Sequence, residues 1–295
     1  MFRKLLKRLR GSIDPSLHQE VIPLLRRWPV MIGDRFFMHS SDGQRLLLDP
    51  NDLHLCCHMT ERGVWEEHVR EMLLHCLKPG GTYVDVGANV GLHALYASAI
   101  VQQTGQCHAF EASPRSYDFL KANIDVNGLV GRVLPYNVIV SDTHKKMSFC
   151  QHDSHPMQSG ITIPEATLQH TSTKPEDLSI SEIDSVTLDS VLENVSVDVL
   201  KIDVEGYEPQ VIAGAIKTIQ NNPHITLIIE RNGKSESIDP AADQMMLTTL
   251  QNEGFFSHIA LWLQPLRRCD WDDLPHGDLV LRRTPFTFAK SSSDS

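Results

Sequence analysis

Long apolar runs and an excess of positive charge are both missing from this chain of 295 residues. No stretch approaches the ~18 consecutive apolar residues of a membrane-spanning helix, so the sequence does not predict a membrane protein. The formal net charge of -10 argues against the broad basic surface that nucleic acid requires, and we expect no nucleic-acid partner. The length fits one large α/β domain with additions, and the 41% hydrophobic content can supply its core.

Cysteine and histidine form no complete metal-binding motif. The six cysteines are scattered without a Cys-x-x-Cys pair, and no signal peptide is evident, so we expect a reducing, cytoplasmic setting. The pairs His54/His58 and His152/His155 have ligand-like spacings. No second cluster of cysteines or acids completes either pair, and we predict no metal site.

The most informative segment is Thr82–Leu92. Its β-branched and aromatic start predicts a buried strand, and its glycines predict a sharp loop that leads into a helix. Asp85 lies at the end of the strand, just before the glycines. The candidate ligand-binding residues of the loop are Gly87, Ala88, Asn89 and Gly91. We expect a ligand here to meet free backbone N–H groups and a carboxylate together, which favours a small cofactor that contains adenosine.

The spacing of this loop distinguishes between two such cofactors. A dinucleotide fold prefers Gly-x-Gly-x-x-Gly and a helix N-terminus aimed at pyrophosphate, whereas this loop has Gly-x-Asn-x-Gly after an acid. The carboxylate of Asp85 would repel pyrophosphate but suits a sulfonium ligand with a free amino group. Glu111 follows a second predicted strand and lies where a carboxylate reaches a ribose diol, which both cofactors have. We therefore predict S-adenosyl-L-methionine, with NAD as the alternative.

Three motifs, in this order along the chain, resemble the FkbM family of methyltransferases. They are Val84–Gly91, Ala109–Pro114 and Val199–Gly206, and the likeness extends from about Lys78 to Arg231. The resemblance implies a Rossmann-like class I methyltransferase fold and methyl transfer to a hydroxyl, often on sugars or secondary metabolites. It also implies that Asp85 and Glu111 bind the methionine part and the ribose of the donor.

Strands and helices alternate through most of the chain, which predicts a mostly parallel, seven-stranded sheet with helices on both faces. We predict strands over 82–86, 106–110, 132–140, 197–202, 224–230, 255–262 and 278–282, with the last two antiparallel. We predict helices over 60–77, 91–102, 114–127, 208–220 and 240–253.

The predicted organisation has three parts. Residues 1–77 form an N-terminal extension with short strands at 36–38 and 45–48 and the helix capped by Thr60, residues 78–285 form the methyltransferase domain, and residues 286–295 form a polar tail. Residues 142–184 interrupt the alternation as a substrate-side insertion or a disordered decoration. Within this insertion we predict a hairpin of 146–151 with 160–163 and a surface loop over 170–181.

The first ten residues depart from the acidic character of the chain. Met1–Arg10 carries five basic residues and no acid, with apolar residues at helical spacing. Such a helix either rests weakly on an anionic membrane surface, or docks on the core or frays, and the sequence leaves these possibilities open.

Acids that follow predicted buried strands are the candidates for catalysis, because ligands of an open α/β sheet lie beyond the carboxyl ends of its strands. Asp203 follows the strand beside the cofactor strand, and we predict that it is the general base or the acceptor anchor. Glu205 either shares that role or stabilises a helix N-terminus. Glu230 either binds acceptor hydroxyls or pairs with Arg231 or Lys234.

A few further residues have less specific predicted roles. Lys201 is a partner for one of the strand-end acids, and Asp142 ends the third strand region and reaches the adenine side. His93 either faces the donor or packs on the sheet. The family resemblance also implies an acid near the cofactor at Glu66 or Glu67.

Two other functions are compatible with parts of the sequence. An NAD-dependent oxidoreductase would need a pyrophosphate-compatible loop, which Asp85 and Asn89 argue against. A non-catalytic module that binds a partner or a membrane would be free to lose the acids and glycines that are present here. We expect a small-molecule or glycan acceptor and O-methylation, with protein N-methylation as a variant, and the sequence does not predict the oligomeric state.

Overall fold

The computed structural model of the protein describes residues 28–152, 159–161, 178–231, 239–260, 266–271, 274, 277–284 and 286. The predicted helix Met1–Arg10 and almost all of the predicted polar tail lie outside these residues. Among the helices of the described part, none has the length and apolarity that crossing a membrane requires. The chain divides into two compact units, of which the first ends at Trp65 and the second begins at Glu66. The predicted domain boundary between residues 77 and 78 stays a prediction.

The first unit contains a three-stranded antiparallel sheet and one helix in its described part. Strands β1 (Val30–Ile32), β2 (Arg35–His39) and β3 (Arg45–Leu48) pair in chain order, which confirms the strands predicted at 36–38 and 45–48. Helix α1 (Leu53–Arg62) follows, and the side chain of Asp52 caps it by accepting the N–H of Leu55.

The prediction of one helix over 60–77 is wrong. Helix α1 ends at Gly63, which has a left-handed φ of 72°, and a separate helix α2 (Glu67–Cys76) opens the second unit. Thr60 lies inside α1 and is not a cap, since its hydroxyl donates to the carbonyl of Cys56 at 2.7 Å.

The second unit is built on an eight-stranded sheet. Its strands are β4 (Thr82–Val86), β5 (Gln106–Phe110), β6 (Val133–Tyr136), β10 (Val199–Ile202), β11 (Thr226–Arg231), β12 (Phe256–Ala260), β13 (Arg267–Arg268) and β14 (Gly277–Arg282). Their spatial order is β13-β12-β14-β11-β10-β4-β5-β6. Strands β6, β5, β4, β10 and β11 are parallel neighbours, and β14 pairs antiparallel with both β11 and β12. The mostly parallel, Rossmann-like fold is therefore confirmed, and the eighth strand is the two-residue edge strand β13.

Helices alternate with these strands. After α2 they are α3 (Leu92–Val101), α4 (Pro114–Val126), α5 (Leu188–Val191), α6 (Glu208–Ala213), α7 (Ile216–Asn221) and α8 (Pro240–Asn252). The predicted helix over 208–220 is in fact two helices, which Gly214 and Ala215 separate. Gly214 passes so close to Ser141 that a Cβ atom would lie 2.0 Å from the Ser141 carbonyl oxygen, so only glycine fits there.

The strands of the large sheet present alternate residues to opposite faces. One face carries an apolar core that includes Val84, Val86, Leu200 and Ile202, together with residues of α6, α7 and α8. Helix α3 contacts β4 and β5 but contributes nothing to that core, so it covers the other face. Helices therefore lie on both faces, as predicted.

A second sheet bears on the predicted third strand and on the predicted structure of the insertion. Strands β7 (Ile139–Val140), β9 (Leu178–Val186) and β8 (Lys146–His152) form it in that order. The predicted third strand is therefore split, since β6 ends at Tyr136 and β7 joins the other sheet. Strand β8 pairs along its whole length with β9, which the sequence did not predict, and the predicted hairpin partner is present as an antiparallel bridge from Gly160 to Cys150. Residues 162 and 163 of the predicted second arm lie outside the described part. Residues 178–181 of the predicted surface loop are part of β9, and residues 162–177 lie outside the described part.

Candidate active site

Five charged side chains share one face of the large sheet near the carboxyl ends of its parallel strands. They are Asp85, Lys201, Asp203, Glu230 and Asp278. Asp85 is opposite Lys201 in the register of β4 and β10, and Glu230 is opposite Asp278 in the register of β11 and β14. Because side chains two residues apart along a strand point the same way, Asp203 continues the face of Lys201. The apolar core occupies the opposite face of the sheet, so these charged groups lie on the face that α2 and α3 cover.

Asp85 is a buried carboxylate that lacks a partner. Its exposed fraction is 1%, and neither carboxylate oxygen has a hydrogen-bond partner among the described residues. Tyr83 is close enough to perturb this carboxylate but forms no well-shaped hydrogen bond with it. Burial raises the pKa of Asp85, against the opposing effect of Lys201. A buried charge without a partner is costly, so this position favours a ligand that brings a positive charge.

The glycine loop does not offer the free N–H groups that the sequence predicts. The N–H groups of Gly87 and Ala88 both donate to the carbonyl of Phe110, at 3.0 and 2.9 Å. The N–H of Asn89 donates to the carboxylate of Glu111 at 2.7 Å, and the N–H of Gly91 donates to the carbonyl of Ala88. These donors are satisfied within the protein, and a pyrophosphate would have to displace those partners.

Gly87 and Gly91 are needed for packing within the protein. Both have left-handed φ angles, of 86° and 92°. A Cβ atom on Gly87 would lie 1.8 Å from the carbonyl oxygen of Asp203, and one on Gly91 would lie 2.5 Å from Leu120. Gly87 therefore lets the cofactor loop touch the backbone of the residue that we predict to be the general base.

Glu111 links the end of β5 to the glycine loop. It is 8% exposed, and its two carboxylate oxygens accept the N–H groups of Asn89 and Ser113 at 2.7 and 2.8 Å. Burial raises the pKa of Glu111 to about 7, although both backbone hydrogen bonds lower it. Glu111 therefore directly follows β5, as the sequence predicts, and its role in ribose binding stays a prediction.

Asp203 forms a close ion pair with a buried lysine. The ammonium Nζ of Lys201 lies 2.7 Å from Oδ2 of Asp203, and Lys201 is 2% exposed. Burial alone would lower the pKa of Lys201, but the carboxylates of Asp203, Glu66 and Asp85 raise it above the ordinary value. Lys201 is therefore a charged partner for a strand-end acid, as predicted, and it is fully buried.

Three carboxylates converge beside this pair. Oxygens of Asp203, Glu205 and Glu230 all lie within 4.8 Å of one another. Burial and the neighbouring Asp203 raise the pKa of Glu230 far above its ordinary value. Two negative charges this close repel each other, which favours the protonated form of Glu230. Glu205 is exposed by surface area, although partial desolvation and the nearby Asp203 raise the pKa of its carboxyl group. The structure thus brings all three predicted catalytic residues together.

The same three oxygens have a spacing that a divalent cation could use. The ammonium of Lys201 already lies 2.7 Å from one of these carboxylates and supplies a positive charge there. The sequence-based expectation of no metal stays a prediction. The pair His54/His58 packs its rings around Trp65 in the first unit, and His155 lies outside the described residues.

Two histidine–carboxylate pairs border the acidic group. His93 at the start of α3 lies 2.8 Å from Glu66, and His68 on α2 lies 2.6 Å from Asp278. Burial would raise the pKa of Glu66, but His93 and Lys201 outweigh it and hold the pKa below the ordinary value. Glu66, rather than Glu67, is therefore the acid that faces this site.

The structure differs from the predicted ion pair of Glu230 and from the predicted position of Asp142. Arg231 pairs with Asp243 at 2.9 Å and does not pair with Glu230, and Lys234 lies outside the described residues. Asp142 does not end the third strand of the large sheet. It is exposed and accepts hydrogen bonds from Ser141 and Thr143, so its adenine contact stays a prediction without its original premise.

Sequence reasoning missed several residues that shape the site. Asn123 donates from α4 to the carbonyl of Val90 at 2.9 Å, and Asn137 donates to the carbonyl of Glu111 at 2.9 Å. Tertiary packing alone brings His68 to Asp278, 210 positions apart, so no local pattern could have found it. In the sequence Glu208 continues the Val199–Gly206 motif but is assigned no role, although it precedes a proline at the start of a helix.

Comparison with known proteins identifies a family for this chain. A family model described as the methyltransferase FkbM domain matches residues 85–263, which is more than half of the chain. The chain is 25% identical over 184 residues to the hexuronic acid methyltransferase AglP of Haloferax volcanii, covering 62% of this chain and 70% of that protein.

Among solved structures, a methyltransferase FkbM from Methylobacillus flagellatus has a TM-score of 0.42 and 13% identity, covering 90% of this chain and 60% of the other. A SAM-dependent O-methyltransferase from Thermotoga maritima has a TM-score of 0.41 and 12% identity, covering 89% of this chain and 88% of the other. The match of the family model over residues 85–263, which include the glycine loop and the acids Asp203, Glu205 and Glu230, shows that the chain belongs to the FkbM family of methyltransferases.

Proposed function

We propose that this methyltransferase uses S-adenosyl-L-methionine to methylate a hydroxyl group of a sugar, glycan or related polyol. The observation that carries the proposal is the buried carboxylate of Asp85, which has no hydrogen-bond partner among the described residues. It lies beside the buried Lys201 and the strand-end acids. The donor would supply an electrophilic methyl group on a positively charged sulfur. Its cationic amino group fits the unsatisfied carboxylate of Asp85, and its ribose hydroxyls fit Glu111.

An NAD-dependent oxidoreductase fits the site less well. A pyrophosphate carries negative charge and takes up backbone N–H groups at a helix N-terminus. Here the N–H groups of Gly87, Ala88 and Asn89 are bonded to protein acceptors, and the adjacent side chain is the carboxylate of Asp85. Both features disfavour a dinucleotide at this loop.

The charges around Asp203 favour an acceptor that is a neutral hydroxyl group. Asp203 lies one strand away from Asp85, and Lys201 compensates its charge at 2.7 Å. In this arrangement Asp203 takes the proton of the acceptor hydroxyl as methyl transfer proceeds. Glu230, whose pKa is raised by burial and by Asp203, keeps its proton and donates a hydrogen bond to a neighbouring acceptor oxygen. An acceptor with two adjacent hydroxyls, as in a sugar, suits both roles.

Methyl transfer from isotope-labelled S-adenosyl-L-methionine to a panel of acceptors tests this proposal. The panel contains neutral glycosides, uronic acid glycosides and lysine-containing peptides. We expect transfer to glycoside hydroxyls, and we expect Asp203→Asn to lower kcat by about 10²- to 10⁴-fold while S-adenosylhomocysteine still binds. Asp184→Asn, which removes an exposed carboxylate paired with Lys146, is the matched control and should be active.

Two results would overturn the proposal. Transfer to peptide amines alone would exclude the hydroxyl acceptor, and unchanged turnover of Asp203→Asn would exclude the assigned base. Repeating the assay with a chelator also tests the expectation that no metal is required, since a loss of activity that added Mg²⁺ restores would contradict it.

A further inference from the structure

The conformation of Glu205 is unusual for a residue with a side chain. Its φ angle is 53°, in the left-handed region, which a residue other than glycine, asparagine or aspartate seldom adopts. Such a conformation is strained and persists only where surrounding contacts hold it. It also brings a carboxylate oxygen of Glu205 within 4.8 Å of oxygens of Asp203 and Glu230.

Glu208 makes the contacts that hold this turn. One oxygen of its carboxylate, Oε1, accepts the N–H of Val204 at 3.2 Å and the N–H of Gly206 at 3.0 Å. These two amides flank Glu205 on either side. Glu208 is 4% exposed and is the first residue of α6. The helix therefore holds the loop around Glu205 in place through this side chain.

The carboxylate of Glu208 also lies in an unfavourable setting. Burial raises its pKa, and Asp203 nearby raises it further, against the effect of the backbone hydrogen bonds. An apolar side chain at this buried position would avoid the cost of burying a carboxylate near Asp203. The bridge to the two amides is the compensating interaction that the structure shows.

We propose that Glu208 is a positioning residue that fixes the left-handed turn at Glu205 and thereby directs the Glu205 carboxylate at the acceptor. This inference rests on the proposed function, in which Asp203, Glu205 and Glu230 form the acceptor side. Without the bridge, the turn relaxes toward the ordinary helical or extended regions of φ, and the side chain of Glu205 points away from Asp203 and Glu230.

Two substitutions separate the bridge from the charge. Glu208→Gln keeps an oxygen that accepts both amides and removes the negative charge, whereas Glu208→Ala removes the bridge. We expect Glu208→Gln to retain kcat within about 3-fold and Glu208→Ala to lower it by about 10- to 100-fold with a raised KM for the acceptor. The affinity for S-adenosylhomocysteine should change less than about 2-fold in both, because the donor side does not contain Glu205.

A double-mutant cycle tests whether Glu208 acts through Glu205. In a Glu205→Gln background we expect Glu208→Ala to lower kcat by clearly less than in the wild type. An equal loss in both backgrounds, or a loss in Glu208→Gln as large as in Glu208→Ala, would overturn the inference.

A second variant keeps the inference testable if Glu208→Ala folds poorly. Glycine adopts the left-handed region without strain, so Glu205→Gly/Glu208→Ala should unfold at a higher temperature than Glu208→Ala alone. No such recovery would contradict the claim that the bridge holds the turn. Failure of the proposed function is recognised separately, because wild-type protein would then transfer no methyl group to any hydroxyl acceptor.

Discussion

The ammonium of Lys201 lies 2.7 Å from the carboxylate of Asp203, and their side chains are 2% and 23% exposed. Register explains this pair, because Lys201 is opposite Asp85 in β10 and β4 and points to the face that carries the other acids. The lysine therefore lies between Asp85, on the proposed donor side of the site, and Asp203, on the proposed acceptor side.

Removing this lysine should destabilise the protein strongly. Lys201→Met leaves Asp203 and Asp85 without their nearest positive charge, and we expect the free energy of unfolding to fall by about 2–4 kcal/mol. Urea unfolding measures the change. The matched control is Lys146→Met, whose partner Asp184 is 3.2 Å away and where both side chains are more than half exposed. It should lose less than about 1 kcal/mol, and an equal loss in the two variants would contradict the role of burial.

Asp85→Asn should raise stability and weaken donor binding together. The carboxylate of Asp85 is buried without a hydrogen-bond partner among the described residues, and its pKa is raised by burial. Asp203 already compensates the charge of Lys201 at 2.7 Å, so replacing Asp85 with a neutral amide removes an excess buried negative charge, and the free energy of unfolding should rise by about 1 kcal/mol. The affinity for S-adenosyl-L-methionine, measured by calorimetry, should fall at least about 10-fold. Lower stability with unchanged affinity would show that the carboxylate is a structural group.

Gly87→Ala should be far more damaging than alanine at another glycine with a similar φ angle. A Cβ on Gly87 would lie 1.8 Å from the carbonyl oxygen of Asp203, whereas a Cβ on Gly254 would meet no atom within 4 Å. Their φ angles are 86° and 79°, so backbone strain is nearly matched. We expect the free energy of unfolding, measured by thermal or urea unfolding, to fall by about 1 kcal/mol in Gly254→Ala and by at least about 3 kcal/mol in Gly87→Ala. Equal losses would mean that the cofactor loop does not contact Asp203 so closely.

Stability should fall as pH rises from about 4.5 to about 7. The pKa of Glu111 is raised by burial to about 7 from a model-compound value of 4.5. The folded protein therefore binds this proton more tightly than the unfolded chain, and the stabilisation is lost as pH passes through the folded pKa. The effect of Glu111 alone is up to about 3 kcal/mol. Urea unfolding of the wild type and Glu111→Gln at several pH values should show a smaller decline in the variant, and parallel curves would contradict the assignment.

Much of the large sheet was predictable from local patterns. The strand Thr82–Val86 has the predicted bounds because a β-branched and aromatic run lies between glycines. The strand Gln106–Phe110 also has the predicted bounds, and an acid directly follows it. The acids after these strands came together because parallel strands end at one edge of the sheet. This explains why Asp203, Glu205 and Glu230 could be grouped without a structure.

Features that depend on distant partners were not predictable. Strand β8 pairs with β9 across the insertion, and alternation of residues in one strand does not identify its partner. The loop N–H groups at Gly87 and Ala88 were expected to be free, but the carbonyl of Phe110 accepts both, which only the approach of β5 to the loop reveals. The split of helix 60–77 could have been read from Gly63, which ends α1.

The most direct test of the account is calorimetric titration of the purified protein with S-adenosylhomocysteine, with NAD as the comparison ligand and Glu111→Gln as the variant. We predict saturable binding of S-adenosylhomocysteine and no binding of NAD. In Glu111→Gln the affinity should fall about 10- to 100-fold, because a hydrogen bond to a charged carboxylate contributes about 1.5–3 kcal/mol. Binding of NAD alone, or equal affinity of the wild type and Glu111→Gln, would contradict the assignment of this edge of the sheet as the methyl-donor site.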